Sequence, residues 1–344
     1  MQILTVVLGV VFILLMLSLL ASTIMEFISA IFALRGKNLV KALKNMLEGE
    51  TKDGKSIDSS VLKKFKENPL YKQMSFQYGS SRKTSPPSYV DSKSFQSILF
   101  DILLGNEIVE DKQLEQLLLE KIEALENEDL KKVLRQLWRD ADGNIDMFKK
   151  KIEEWYNGVM ERATGWFKRS TQYILVGVGL TIAIILNADT LAIYERLENN
   201  PEVAERIAKI AENLADKETI NVDNAVSAID QVEGEDTAAV KVVIDTLAFD
   251  PEDTAEDRKA KTDYNAKAKE ITTIVDRLNV YRSPLGMGWK NVDFSAVTGY
   301  EILTKLLGWL VTALAISLGA PFWFDILKKV VNLRSAGKRP EGDS

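Results

Sequence analysis

The sequence predicts an all-α integral membrane protein, with three transmembrane helices, a cytoplasmic helical bundle and a periplasmic helical domain. Three observations carry this expectation. Apolar runs at 3–24, 173–193 and 302–324 are each close to the ~20 residues that a helix needs to cross hydrocarbon. The charged segments between them place apolar residues three and four apart, the period of a helix face. Basic residues gather at one end of each run, which sets the direction of threading.

The first run has no basic stretch before it and exceeds the core of a leader peptide, so it reads as a span, not a cleaved signal. Arg35 and Lys37 follow it, with Lys41 and Lys44 beyond, and predict an outside N-terminus and an inside flank. Phe27, Ile28 and Ile31 continue the pattern past Glu26, so residues 1–34 form the first transmembrane helix with an interfacial extension that Gly36 ends. Glu26, at the end of the span, reads as an interfacial carboxylate, the alternative being a buried, paired one.

Residues 35–169 are expected to form the cytoplasmic helical domain. Leu39, Leu43 and Leu47 lie one turn apart in a short helix, and 51–60 is a polar loop. The stretch 77–89 contains Pro86-Pro87 flanked by Ser and Gly, and reads as a linker or a partner-docking strip. Further on, Phe95, Ile98, Leu99 and Leu103 form one core stripe. Leu118 and Ile122 belong to a second, Leu130 and Leu134 to a third. Asp140 to Asp146 has calcium-type oxygens, but its Gly143 and Lys151 fall where a calcium loop needs other residues. It reads instead as a glycine turn with Asn144 or Asp146 capping the next helix.

That helix carries Ile145, Phe148, Ile152, Trp155 and Val159 in alternating steps of three and four, the pattern of an amphipathic or coiled-coil helix. It is expected to run unbroken through Lys168 and Arg169, the cytoplasmic entry, into the second span at 170–194. Gly177 and Gly179 offer close-packing surface there, and Asn187 and Asp189 fall near its outer end.

Residues 195–300 form an acidic extracytoplasmic (periplasmic) helical domain in this reading. Its apolar faces, such as Val203, Ile207, Ile210 and Leu214, are thin. Pro284 and Gly286 turn the chain back, and Trp289 is an outer-interface anchor. The third span is 301–324, with Lys305 snorkelling outward. At its inner end Pro321 kinks the helix or starts a new one, and Phe322, Trp323 and Phe324 mark the headgroup level. Residues 325–344 are a basic amphipathic tail, with Lys328, Lys329 and Arg334 expected on anionic lipid at the cytoplasmic face.

The net charge of −6 gives nucleic-acid binding no electrostatic support, and the chain has neither Cys nor His. That removes thiolate and imidazole chemistry and the usual zinc sites. No nucleotide loop, serine elbow or metalloprotease motif is present. No catalytic residue, cofactor or metal is therefore expected, and the chain is not expected to be an enzyme.

Three stretches together, EEWYNGVMERATGWFKRSTQ (153–172), SPLGMGW (283–289) and LGAPFWFDILKKVVNLRSAGKRP (318–340), resemble a family of uncharacterised bacterial inner-membrane proteins that end in a GAPFWFD…VNLR…GK segment. PPSYVDSKSF (86–95) is also similar to that family's cytoplasmic portion. The resemblance implies a bacterial inner membrane and a three-span layout, and brings no activity. It leads to the expectation of a membrane scaffold or anchor, multi-pass with N-terminus out and C-terminus in, joining protein partners or a homo-oligomer. The long helix from Ile145 into the second span suggests mechanical coupling. The alternative is an oligomeric pore-forming or membrane-perturbing effector.

Overall fold

The computed structural model describes residues 2–48, 60–77, 84–105, 111–233, 255–282, 285, 287–289 and 299–336. Most of these residues are helical, and among them Phe76–Gln77 forms a two-residue antiparallel pair with Thr84–Ser85. The helix expected around Val240, Val243, Ile244 and Leu247 lies outside them, as do the 51–59 loop and the 283–284 turn. The chain divides into two compact units: Ser29–Ser170 with Phe249–Ala260, and Met1–Ile28 with Thr171–Ala248 and Lys261–Ser344.

The first is a helical bundle. Helix α1 (Gln2–Ile31), most of which belongs to the second unit, ends where Ala33 turns left-handed, at φ 46°. Helix α2 (Leu34–Leu47) starts directly after. It passes through Gly36, which was expected to end a helix. Gly36 sits inside α2 because Pro86 lies against it: a Cβ at that position would meet the Pro86 carbonyl oxygen at 2.4 Å. Helices α3 (Ser60–Glu67), α4 (Pro69–Met74), α5 (Ser92–Leu104), α6 (Asp111–Glu123) and α7 (Glu128–Asp140) follow. The expected stripes form the core, with Leu43, Leu47, Phe95, Ile98, Leu134 and Ile152 buried. Phe95 stacks on Tyr156 at 4.4 Å between centroids.

Side chains that terminate helices also tie the bundle together. Asn127 Oδ1 accepts from the Asp129 and Leu130 amides, capping α7, while its Nδ2 donates to Leu47 O at the end of α2. Asp91 caps α5 by accepting from the Ser94 amide. The Ser94 hydroxyl, together with that amide bond, holds its carboxyl below the usual range. Tyr156 donates its phenol proton to Val90 O at 2.6 Å, and burial raises its pKa. At the Asp140–Asp146 turn, Asp142 and Gly143 are left-handed, and Asn144 Oδ1 accepts from the Met147 amide. Of the readings open for that motif, Asn144 is the cap of helix α8 (Ile145–Ile185).

The second unit is assembled around α1. It contains the last part of α8, then α9 (Thr190–Asn199), α10 (Pro201–Ala215), α11 (Val222–Glu233), most of α12 (Ala255–Arg282), α13 (Gly299–Ser317) and α14 (Ala320–Ala336). α1 and α13 are each long and apolar enough to cross a membrane, and α8 with α9 makes a third candidate bent by 48° at its break. Their surroundings differ sharply. Within its most apolar window α1 is 78% buried inside the protein, against 22% for α13. Ile207, Ile210 and Leu214 of α10, Ile229 of α11 and Ile274 of α12 share one core with Phe12 and Leu15 of α1. The apolar faces of α10 to α12 read as thin, yet each contributes to the one core that contains α1. Gly9 of α1 makes room for Leu197 and Ile207, which its absent Cβ would meet at 3.0 and 3.8 Å.

Two expected boundaries move. The second span was to continue to 194, but α8 stops at Ile185 and α9 begins only at Thr190. The third was to run from 301 to 324. Instead α13 stops at Ser317, Gly319 turns left-handed with φ 86°, and α14 begins with Pro321 at its second position, where a missing amide proton costs nothing.

The distribution of charge differs as well. Lys267 of α12 donates to Glu26 of α1 at 2.7 Å, and Phe27 packs on Tyr264 at 4.6 Å. Arg334 of α14 is bonded to Glu205 and Glu212 of α10. Segments expected on opposite faces of a bilayer thus meet inside one unit.

Candidate functional site

A polar cluster in the second unit lies where α8 breaks. A helix end leaves its last carbonyls without intrahelical partners, a serious cost in apolar surroundings. Here Asn187 takes a left-handed conformation, φ 47°, tolerable for Asn, and the Ala188 amide reaches back to Ala183 O at 2.8 Å. The freed carbonyls find donors from the segment before α13. The Trp289 indole donates to Ile184 O at 3.0 Å, and the Gly288 amide to Leu186 O at 2.7 Å. Asn187 Nδ2 returns a bond to Gly288 O at 2.8 Å.

Helix α9 starts at once, capped by Asp189, whose Oδ1 accepts from the Leu191 and Ala192 amides. The same carboxylate lies against Gly308 of α13, where a Cβ would come within 2.1 Å of it. It also pairs with Lys305 at 3.5 Å. Thr312, fully buried, donates its hydroxyl proton to Gly308 O. Its oxygen is therefore the acceptor for both the amide and the hydroxyl of Thr190, at 3.0 and 2.8 Å. Lys305, expected to snorkel outward, instead neutralises a buried carboxylate. Asn187 and Asp189, expected where polarity is cheap, are 3% and 7% exposed. The cluster can lock a bent helix onto its neighbour. Below it, Gly179 packs against Ala313 O at the distance of a missing Cβ, 3.1 Å, while Gly177 meets nothing.

The second cluster is the Arg334 clamp. Its Nη2 donates to both Glu205 oxygens at 2.8 Å and its Nη1 to Glu212 Oε1 at 3.1 Å. Arg334 is 5% exposed. It was expected on lipid, and it is turned inward because it continues the buried stripe Ala320, Phe324, Leu327 and Val331. Phe324 is likewise buried, with Lys328 over its ring at 4.4 Å. Trp323 is half-buried and donates its indole proton to Ala315 O. Phe322, Lys329 and Trp289 are exposed, as are Arg35, Lys37, Lys168 and Arg169. The expected anchors therefore divide: the inner-flank cations and Phe322 are free to meet a headgroup layer, and Arg334 and Phe324 are not.

An apolar band completes the unit's surface. Leu303, Leu306, Leu307, Leu310 and Leu314 of α13 are exposed, as are Tyr173 and Ile185 of α8. Comparison with family models, with curated proteins and with solved structures found no match for this chain.

Proposed function

We propose that this chain is a membrane-embedded scaffold or anchor of a bacterial inner membrane, without catalytic activity. The observation that carries the reading is the exposed leucine face of α13, beside the apolar end of α8. Surfaces of that kind need hydrocarbon or a protein partner. Lipid is the simplest occupant, with anionic headgroups at Arg35, Lys37, Lys168, Arg169, Lys328 and Lys329. These residues support an inside bundle unit; an outside N-terminus follows only once α1 leaves its protein cover and spans the bilayer. The bundle unit, with a core and caps of its own, is the part available to partners. The absence of Cys allows a clean topology test. A single Cys at Glu120 should label only from the cytoplasmic side; labelling from outside in intact cells overturns the orientation. Crosslinking in native membranes decides the role. A stable heteromeric partner supports the scaffold, and a homo-oligomeric ladder with ion leakage supports the alternative, a pore-forming or membrane-perturbing effector. One observation favours that alternative: α1, the most apolar helix, is covered by charged helices and would have to be freed to enter a bilayer.

A further inference from the structure

We propose that Arg334, Glu205 and Glu212 form a latch that holds α10 and α14 closed over α1, and that opening it exposes α1 to lipid. The inference rests on the membrane reading above, and three features of the second unit lead to it.

The first is the mismatch of helix and setting. α1 is apolar on all sides, the composition of a lipid-facing or deeply buried helix, and here it is buried by protein. Its cover includes α10, whose outer positions Glu202, Glu205, Arg206 and Lys209 are exposed. Such a helix cannot face hydrocarbon, where each charge near the centre is expensive. The closed form therefore presents water-compatible residues on the α10 side and the leucine face of α13 elsewhere.

The second is the location of the clamp. Arg334 is a buried cation near the end of α14, held bidentately by Glu205 and singly by Glu212, two turns further along α10. Arg334 is the buried member, so an α14 that stays closed without these carboxylates would hold an unpaired buried cation, and the closed form depends on this contact more than on a surface pair. The third is the hinge. Gly319, left-handed with φ 86°, separates α14 from α13, so α14 has a pivot that leaves the exposed helix in place.

The test uses the full chain in vesicles of phosphatidylethanolamine and phosphatidylglycerol. Ala211→Cys places a reporter on the buried face of α10. Its labelling by a water-soluble maleimide should be slow alone and about tenfold faster with R334E. Adding Glu205→Arg and Glu212→Arg to R334E restores opposite charges and should slow it again. R206E, an exposed charge on the same helix, is the control. A photoactivatable phospholipid should mark α13 in every variant, and α1 only when the latch is open. Equal labelling of Ala211→Cys with and without R334E, an equal acceleration by R206E, no recovery in the triple charge swap, or lipid marking of α1 with the latch intact would each overturn the proposal. Alkaline carbonate extraction separates the two readings: loss of the chain from the membrane fraction refutes the membrane reading, whereas a retained chain with unchanged labelling refutes the latch alone.

Discussion

Helix propensity and packing disagree about Gly36→Ala, which makes this substitution a sharp test of the bundle unit. Taken alone, replacing a helical glycine by alanine stabilises by up to about 1 kcal/mol. The structure opposes this. The new methyl carbon would sit 2.4 Å from Pro86 O, 3.0 Å from its Cγ and 3.1 Å from its carbonyl carbon. The obstacle is largely backbone, in a segment anchored by the Tyr156 bond to Val90 O and by the Asp91 cap. The chain at Pro86 would have to move most of an ångström, and overpacking of that kind costs ~1–3 kcal/mol. The expected net result is a loss of about 1–2 kcal/mol. Gly165→Ala in α8 is the matched control, because nothing lies within 4 Å of its absent Cβ and propensity acts there unopposed. Pulse proteolysis in urea, with the full-length chain in mild detergent, should place the Gly36→Ala midpoint about 0.5–1 M below wild type, given slopes of ~1–3 kcal/mol per M. Gly165→Ala should be equal to wild type or higher. A Gly36→Ala midpoint at or above that of Gly165→Ala would refute the close approach of Pro86 to α2.

Further expectations concern single contacts. Gly308→Ala should destabilise the second unit by about 1–2 kcal/mol, because its methyl displaces the Asp189 carboxylate from its cap and from Lys305; earlier proteolysis in the 186–200 segment is the readout. Tyr156→Phe should cost about 1 kcal/mol by leaving Val90 O without its donor, measured by the same urea midpoint. Burial pushes Tyr71 up to about 12 and Tyr156 also upward, so their folded forms hold the proton more tightly than the unfolded chain. Their contribution is complete below about pH 10 and falls as pH rises beyond it, so alkaline unfolding of the bundle should shift upward in Tyr156→Phe. Asp91 has the opposite sign. Its carboxyl is held below the usual range, so its contribution is present above that range and lost as pH falls through it. Asp91→Asn keeps a cap without the titration and should flatten the acid limb of the stability profile.

The bundle was legible because its information is local. Leu39, Leu43 and Leu47 name their own face, and the cap of α8 was narrowed to Asn144 or Asp146, of which Asn144 is the one. The glycine turn at Asp142-Gly143 needed only its neighbours. Pro321 offered the start of α14 as one of two readings, the other being a kink in a span drawn through 324. Gly36 was misread because a glycine that ends a helix and one that admits a distant chain look the same until Pro86 is in place. The apolar faces of α10 to α12 were visible, but no pattern within them states that α1 is what they cover. Arg334 did carry a signal. It continues the Ala320, Phe324, Leu327, Val331 stripe in steps of four and three, and an arginine on an apolar stripe implies a buried acid. Glu205 and Glu212, seven residues apart on one face of α10, were the matching half. The basic residues around Arg334 drew the reading toward lipid instead. The 186–190 break had no comparable cue, since Asn187 and Asp189 suit a helix end in water as well as one folded against Gly308.

The order of residues along the chain gives the burial of α1 a meaning in time. α1 leaves the ribosome before α10, α11 and α12. The end of α8 and α9, which share its core, come earlier still; at synthesis rates of about 5–20 residues per second, roughly 10–30 s pass before the end of α8 exists. Throughout that interval a helix as apolar as any membrane span has no partner from its own chain to cover it. The membrane, or a chaperone, must receive it first. The fold described above is then something α1 enters from an earlier environment, and the helices that later enclose it compete with whatever held it before.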